Sequence, residues 1–180
     1  KEFKHQVDAT SGGQFPMAVV LSCIDSRTTP EVIFDSNLGE LITIRIAGNI
    51  VTDEIIGSME LSHREIGTKL IVILGHANCG AVNAAIHGLG GGYVDLITGR
   101  IAGSIEAVRQ MEAPPQAAEA LLDAVCRWNA EHSKVETLRM SPFLSEQVRN
   151  GGLGVVSAYY DTASGIVSFS ELTASDKDQR

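Results

Sequence analysis

Lys69-Leu-Ile-Val-Ile-Leu-Gly-His-Ala-Asn-Cys-Gly80 is the stretch whose reading decides the fold. Lys69–Leu74 reads as a strand: Leu70 to Leu74 is a continuous apolar run with β-branched Ile71, Val72 and Ile73, as in a strand covered from both sides in a parallel sheet. Ala81–His87, ending at Gly88, follows as a helix. Toward the amino terminus the pattern repeats twice. Met17–Leu21 reads as a strand, followed by a helix opening at Pro30, with Thr28 or Thr29 as cap and Glu31 in its first turn, and stopping near Asn37-Leu-Gly39. Leu41–Ile46 reads as another strand, followed by a helix over Asp53–Ile66 that Gly67 closes, with Ile55, Ile56, Met59 and Ile66 on its buried side.

Toward the carboxyl terminus the glycine-rich segment Gly88–Gly103 reads as a loop. Ile101–Met111 then starts a helix broken by Pro114-Pro115, Gln116–His132 is an amphipathic helix, and Pro142–Val148 another, ending at Gly151-Gly152. Leu153–Tyr160 and Ile166–Phe169 read as two strands around the turn Asp161–Gly165. Strand and helix in alternation predict an α/β fold, three-layered, with a mostly parallel central sheet, flanking helices and a C-terminal strand pair. One domain spans residues 1–180, with a polar N-terminal segment over 1–15 and a frayed tail over 173–180.

Composition narrows the function. With 180 residues, 44% hydrophobic and 20% charged, the chain can bury a sizeable core. A net charge of −8 argues against a protein that coats nucleic acid or anionic membrane. The apolar runs fall far short of the roughly 20 residues that span a bilayer, so no membrane span is expected. Cys23, Cys79 and Cys126 lie far apart in sequence, which excludes a dense disulfide framework and a Cys-x-x-Cys redox pair. The opening at Lys1 without Met leaves room for a removed leader; the cytoplasm is slightly favoured, with a periplasmic or secreted location open in that case.

In open parallel sheets ligands gather outside the carboxyl ends of the strands. Cys23 stands just past the end of the first strand and His76 just past the end of the third, so both belong to one rim. Cys79 follows at the start of the next helix, whose amino terminus favours a thiolate. Two sulfurs and an imidazole make a Cys₂His set, a catalytic zinc pattern in which the fourth position is open or taken by a carboxylate. Cys23-Ile-Asp-Ser-Arg27 places Asp25 and Arg27 in the turn leaving the first strand; the carboxylate is near enough to bind the metal, and the guanidinium to hold it away in a bidentate pair. Cys126, inside an amphipathic helix with no partner at ligand spacing, reads as packing. Gly75–Gly80 has glycines at phosphate-loop spacing but lacks the following Lys and Ser/Thr, and reads as a turn.

Cys23-x-Asp25-x-Arg27 followed by His76-x-x-Cys79-Gly80 resembles the β-class carbonic anhydrases. The similarity runs from about Met17 to Phe169 and includes Gly39–Asn49, Gly57-Ser-Met-Glu60 and the hairpin from Ala158-Tyr-Tyr-Asp161 to Gly165. The resemblance implies one Zn²⁺ per subunit on Cys23, His76 and Cys79, with Asp25 and Arg27 as a catalytic dyad gating the fourth position and Asp25 binding zinc in a resting form. Gly80 and Asn49 are implied as substrate-binding positions. Two features depart from the family pattern: Ile46 stands where many members carry Asn, and many members have an amino-terminal helical arm that clasps a partner subunit, whereas 22 residues precede Cys23 here.

The activity so implied is zinc-dependent, reversible hydration of CO₂ to bicarbonate and a proton by hydroxide held on the metal, rising on the alkaline side of neutrality. CO₂ and bicarbonate are then the small-molecule partners, and a homodimer, tetramer or other homo-oligomer completes an apolar pocket to which Ile50, Val51, Tyr159 and Tyr160 are candidates. His5, His63, His87 and His132 are unassigned candidates for proton export. A CS₂ or COS hydrolase on the same site, or a non-catalytic zinc-stapled module that senses bicarbonate or binds a partner, remain alternatives.

Overall fold

The computed structural model describes residues 3–174. Five strands form one sheet: β1 Ala18–Ser22, β2 Leu41–Arg45, β3 Leu70–His76, β4 Gly154–Tyr160 and β5 Val167–Phe169. Their order is β2-β1-β3-β4-β5, parallel throughout except for β5, which returns antiparallel on β4. The fold is therefore the expected α/β arrangement. β1 and most of β3 are buried on both faces, as their unbroken apolar runs require.

The two-residue period of the strands divides the core. Val19, Leu21, Ile71, Ile73 and Val155 pack on one side with Ile55, Ile56 and Met59 of α3 (Asp53–Leu61), Ala130 of α6 (Ala118–Met140) and Leu144 and Val148 of α7 (Pro142–Arg149). Val20, Val72, Leu74 and Val156 face the other side, toward Ile33 of the short α2 (Pro30–Ile33) and Phe34. A third cluster lies at the carboxyl rim, where α4 (Gly80–Ile86), α5 (Val94–Arg109) and α6 bring Val82, Ile101, Val108 and Val125 around Cys23 and Cys79.

Several expected boundaries change. Phe3–Thr10 of the polar opening is a helix, α1, tied to the body where Gln6 Oε1 accepts from the Leu38 amide at 2.9 Å. Helix α2 makes one turn only, because Asp35 adopts φ 46° and ends it. The expected loop over Gly88–Gly103 is helical from Val94 onward. Gly99 and Gly103 each cost up to about 1 kcal/mol of helix propensity, but Ile101, Ile105 and Val108 are buried at the rim, and that packing prevails. Helix α6 continues past His132 to Met140, because Ser133, Lys134 and Thr137 are buried polar residues that conceal the periodicity. Lys134 is satisfied by Glu131 at 2.7 Å.

Strand β3 extends through His76, two residues beyond its apolar run. The tail expected from Thr173 is held at its start: Thr173 and Val155 exchange two backbone hydrogen bonds, of 2.9 and 3.1 Å. Residues 175–180 of that tail lie outside the described residues. Among the described residues no helix is long and apolar enough to cross a membrane.

Candidate metal centre

Strands β1 and β3 are neighbours and parallel, so their carboxyl ends deliver Cys23 and His76 to one place. The turn Ala77-Asn78, with Asn78 at φ 55°, then reverses the chain and sets Cys79 as the residue capping α4. One ligand atom from each of the three lies within 4.8 Å of the others, all three residues are buried, and the group could hold a metal ion.

The donor set fits zinc. The Sγ atoms of Cys23 and Cys79 are 3.9 Å apart, and two thiolates bound tetrahedrally at about 2.3 Å would be about 3.8 Å apart. His76 is fully buried, and its Nδ1 lies 2.9 Å from the Ala77 carbonyl, a contact that puts the ring proton on Nδ1 and a lone pair on Nε2. Nε2 has no partner although it is buried, and an orphaned imidazole nitrogen beside two thiols is the deficiency that a metal satisfies. The hydrogen bond with Cys79, joined by contacts from His76 and the backbone near Asp25 and Gly48, draws the Cys23 thiol well below its ordinary range against the effect of burial. Cys79 is driven the opposite way by Cys23 and by burial. The pair thus loses one proton easily and the second only against the charge of the first, an opposition that a dication removes.

Asp25 stands outside this group. Its Oδ1 accepts from Arg27 Nε at 2.9 Å and from the Arg27 backbone at 3.0 Å, and its Oδ2 accepts from the guanidinium at 2.7 Å. The Arg27 fork, stronger here than burial, holds the Asp25 carboxyl far below the usual carboxylate range. Beside these residues opens a mainly apolar cavity of about 420 Å³, lined by Cys23, Asp25, Ala47, Gly80, Ala81 and Ile97 among others. Gly80 is thus at the cavity, whereas Asn49 is buried in the adjoining turn at φ 43° and is not part of the cavity wall.

Other candidates are used elsewhere. Ile50 and Val51 are core residues, and Tyr159 is buried with its hydroxyl donating to Asp123 and its ring under Arg127. His63 is held between the Thr68 carbonyl and Gln147. Cys126 is packed at 2% exposure, and burial pushes its thiol up to about 12. Arg45 was not singled out from the sequence, yet it donates to the Cys23 carbonyl at 2.9 Å and the Asp25 carbonyl at 2.6 Å, fixing the turn that carries both residues. Its only signal was a cation ending an apolar strand.

The model of the family described as carbonic anhydrase matches residues 18–167. The chain belongs to this family, in its β class. Carbonic anhydrase 2 of Mycobacterium tuberculosis is 32% identical over 160 residues, covering 86% of this chain and 74% of that protein. The β-carbonic anhydrase of Coccomyxa superposes with a TM-score of 0.82 at 24% identity, over 97% of this chain and 81% of that one. One of two tetrameric β-carbonic anhydrases of Sordaria macrospora superposes with a TM-score of 0.80 at 23% identity, over 92% and 86% of the two chains. This carbonic anhydrase is accordingly an enzyme of the carbonate dehydratase kind, and its Cys₂His group is compatible with zinc.

Proposed function

We propose that the chain catalyses the reversible hydration of CO₂ to bicarbonate and a proton, with one zinc ion held by Cys23, His76 and Cys79. The observation that carries this reading is the buried Nε2 of His76 left without a partner beside two sulfurs 3.9 Å apart, with Cys23 of that group lining an apolar cavity. When bound, zinc supplies the Lewis acidity that makes water a nucleophile near neutral pH, less strongly with two thiolate ligands than with three imidazoles, so activity rises on the alkaline side of neutrality.

The protein supplies the rest. Asp25 Oδ1 takes two hydrogen bonds from Arg27 and Oδ2 only one, so Oδ2 keeps a lone pair that accepts a hydrogen bond from the attacking water and orients that water toward the CO₂ carbon. Arg27 keeps Asp25 ionised and turned away from the metal. Ala47, Ala81 and Ile97 give CO₂ an apolar surface without competing hydrogen bonds. The whole chain acts as one domain and assembles as a homo-oligomer; the tetrameric description of the Sordaria proteins supports the assembly.

Stopped-flow CO₂ hydration on protein of measured zinc content, with Cys79→Ala as control, tests the reading. Hydration well above the control is expected; stoichiometric zinc with no such excess overturns it.

A further inference from the structure

We infer that Asn129, a buried residue of α6, is a positioning residue for the metal centre: it holds the Gly48 turn so that the Gly48 amide donates to the Cys23 sulfur. The inference rests on the zinc reading of Cys23, His76 and Cys79.

Gly48 lies in the single 3₁₀ turn Ala47–Asn49 that follows β2, at φ 70° and ψ 16°. Its N–H donates to Cys23 Sγ at 3.3 Å. A side chain in place of the glycine would be strained, because the backbone is left-handed and a Cβ would lie 2.9 Å from Ile101 Cδ1 and 3.3 Å from Ala81 Cβ, both of which would have to give way. The turn is closed at its base by the Asn49 amide bonding the Ile46 carbonyl at 3.0 Å. On its far side it is held from another part of the chain: Asn129 Nδ2 donates to the Gly48 carbonyl at 2.7 Å across 81 residues of sequence. Both polar atoms of Gly48 are therefore engaged, one by the Cys23 sulfur and one by Asn129.

The orientation of the Asn129 amide is determined. Its Oδ1 accepts from the hydroxyl of Ser104, on α5, at 3.1 Å. A flipped amide would set Oδ1 against the Gly48 carbonyl, two acceptors facing each other, so the Gly48 carbonyl selects the observed orientation and Ser104 completes it. Asn129 is 1% exposed and Ser104 fully buried. Packing alone does not account for an amide here, since α6 presents Val125, Cys126 and Ala130 nearby to the core and a buried amide is costly unless hydrogen-bonded. Its two bonds link α5 to α6 and α6 to the turn, and the Gly48 N–H links the turn to the Cys23 sulfur.

A hydrogen bond to a thiolate lowers the energy of its sulfur lone pairs and fixes its direction, and partners of this kind tune metal ligands. The test uses the full chain loaded with Co²⁺, whose sulfur-to-cobalt charge-transfer band reads the donor strength of the thiolates, and Zn²⁺ affinity by competition with a chromophoric chelator. Asn129→Leu is expected to move the band to longer wavelength and to weaken zinc binding about 10-fold. Ser104→Ala, which only loosens the Asn129 amide, moves both in the same direction by less. Thr137→Val is the control: Thr137 is buried on the same helix, with its hydroxyl bonded to the Ser133 carbonyl and remote from the turn, and it leaves band and affinity unchanged.

A wild-type protein with no thiolate-to-cobalt band overturns the metal reading itself. A wild-type band together with a folded Asn129→Leu protein of unchanged band position and zinc affinity overturns the role of Asn129 alone, and so does a Thr137→Val protein that shifts as far. If circular dichroism shows Asn129→Leu unfolded, Ser104→Ala decides the matter, and unchanged band and affinity there overturn the inference.

Discussion

The Arg27 guanidinium grips the Asp25 carboxylate with two side-chain bonds, of 2.9 and 2.7 Å, while the Asp25 backbone carbonyl is held from β2 by Arg45 at 2.6 Å. Main chain and side chain of Asp25 are thus oriented by two different arginines, and the carboxylate is kept out of the Cys23-His76-Cys79 group. Arg27 has its side chain about half exposed, so its value lies in direction more than in energy.

Replacing Arg27 by Lys keeps the charge and removes the planar fork, and a point charge cannot fix both carboxylate oxygens. Arg27→Lys is expected to lower CO₂ hydration by about 10- to 100-fold with zinc content unchanged. Stopped-flow rates alongside metal analysis check this; a rate equal to wild type removes the orienting role.

Removal of the metal leaves the Nε2 of His76 buried and unpaired and two thiols in contact. A bound ligand stabilises the native state by about 2.7 kcal/mol at one hundred times its dissociation constant. Chelator-treated protein should therefore melt at lower temperature than zinc-loaded protein, with added zinc restoring the difference. In Cys79→Ala the zinc-dependent increment should largely vanish, as differential scanning fluorimetry with and without zinc would read.

Gly75, one residue before His76, packs directly against α6. A Cβ there would lie 2.9 Å from Ala130 Cβ and 3.1 Å from the Cys126 carbonyl, neither of which is a flexible side-chain end. Gly75→Ala is expected to cost about 1–3 kcal/mol by overpacking, and to disturb metal loading because the displaced strand carries His76. Urea unfolding of the two proteins measures the cost. The mixed substitution Gly75→Ala with Ala130→Gly, which removes the opposing methyl, should recover part of it.

Glu136 on α6 is held below its usual carboxyl range, first by hydrogen bonds from Arg139 at 2.7 Å, with burial opposing and the charges of Arg139, His132 and Arg100 adding. Because the folded-state value is depressed, the contribution to stability is present above the unfolded-state value and is lost as pH falls through the folded one. Glu136→Gln should therefore melt below wild type at pH 7, and the gap should close on acidification below the carboxylate range. A gap that persists unchanged at low pH would assign the effect to packing.

Much of the site was legible in the sequence because it depends on strand ends. Continuous apolar runs over 17–21 and 70–74 identify central parallel strands, and parallel strands that neighbour each other bring their carboxyl ends, hence Cys23 and His76, to one rim. The spacing of Cys79 follows from the short turn into α4. The start of helix α5 at Val94, ahead of the expected Ile101, was not legible, since glycines at 99 and 103 lower local propensity and the compensating burial of Ile101 and Val108 comes from elements distant in sequence. The end of α6 was hidden for a related reason: its last buried turns are lined by Ser133, Lys134 and Thr137, whose partners a hydropathy pattern does not record.

By itself, then, the sequence determined an α/β fold of mostly parallel strands and the set Cys23, His76 and Cys79, because backbone period and chain direction are local properties that carry residue positions to a predictable edge. Only the tertiary structure decided how those three side chains are supported. Arg45 reaches back from β2, Gly48 is wedged beneath Ile101, and Asn129 spans from α6 to the turn beside Cys23. Each is a directional hydrogen bond or a close approach between distant segments, and such contacts exist only once the packing of the helices on the sheet has set the distances.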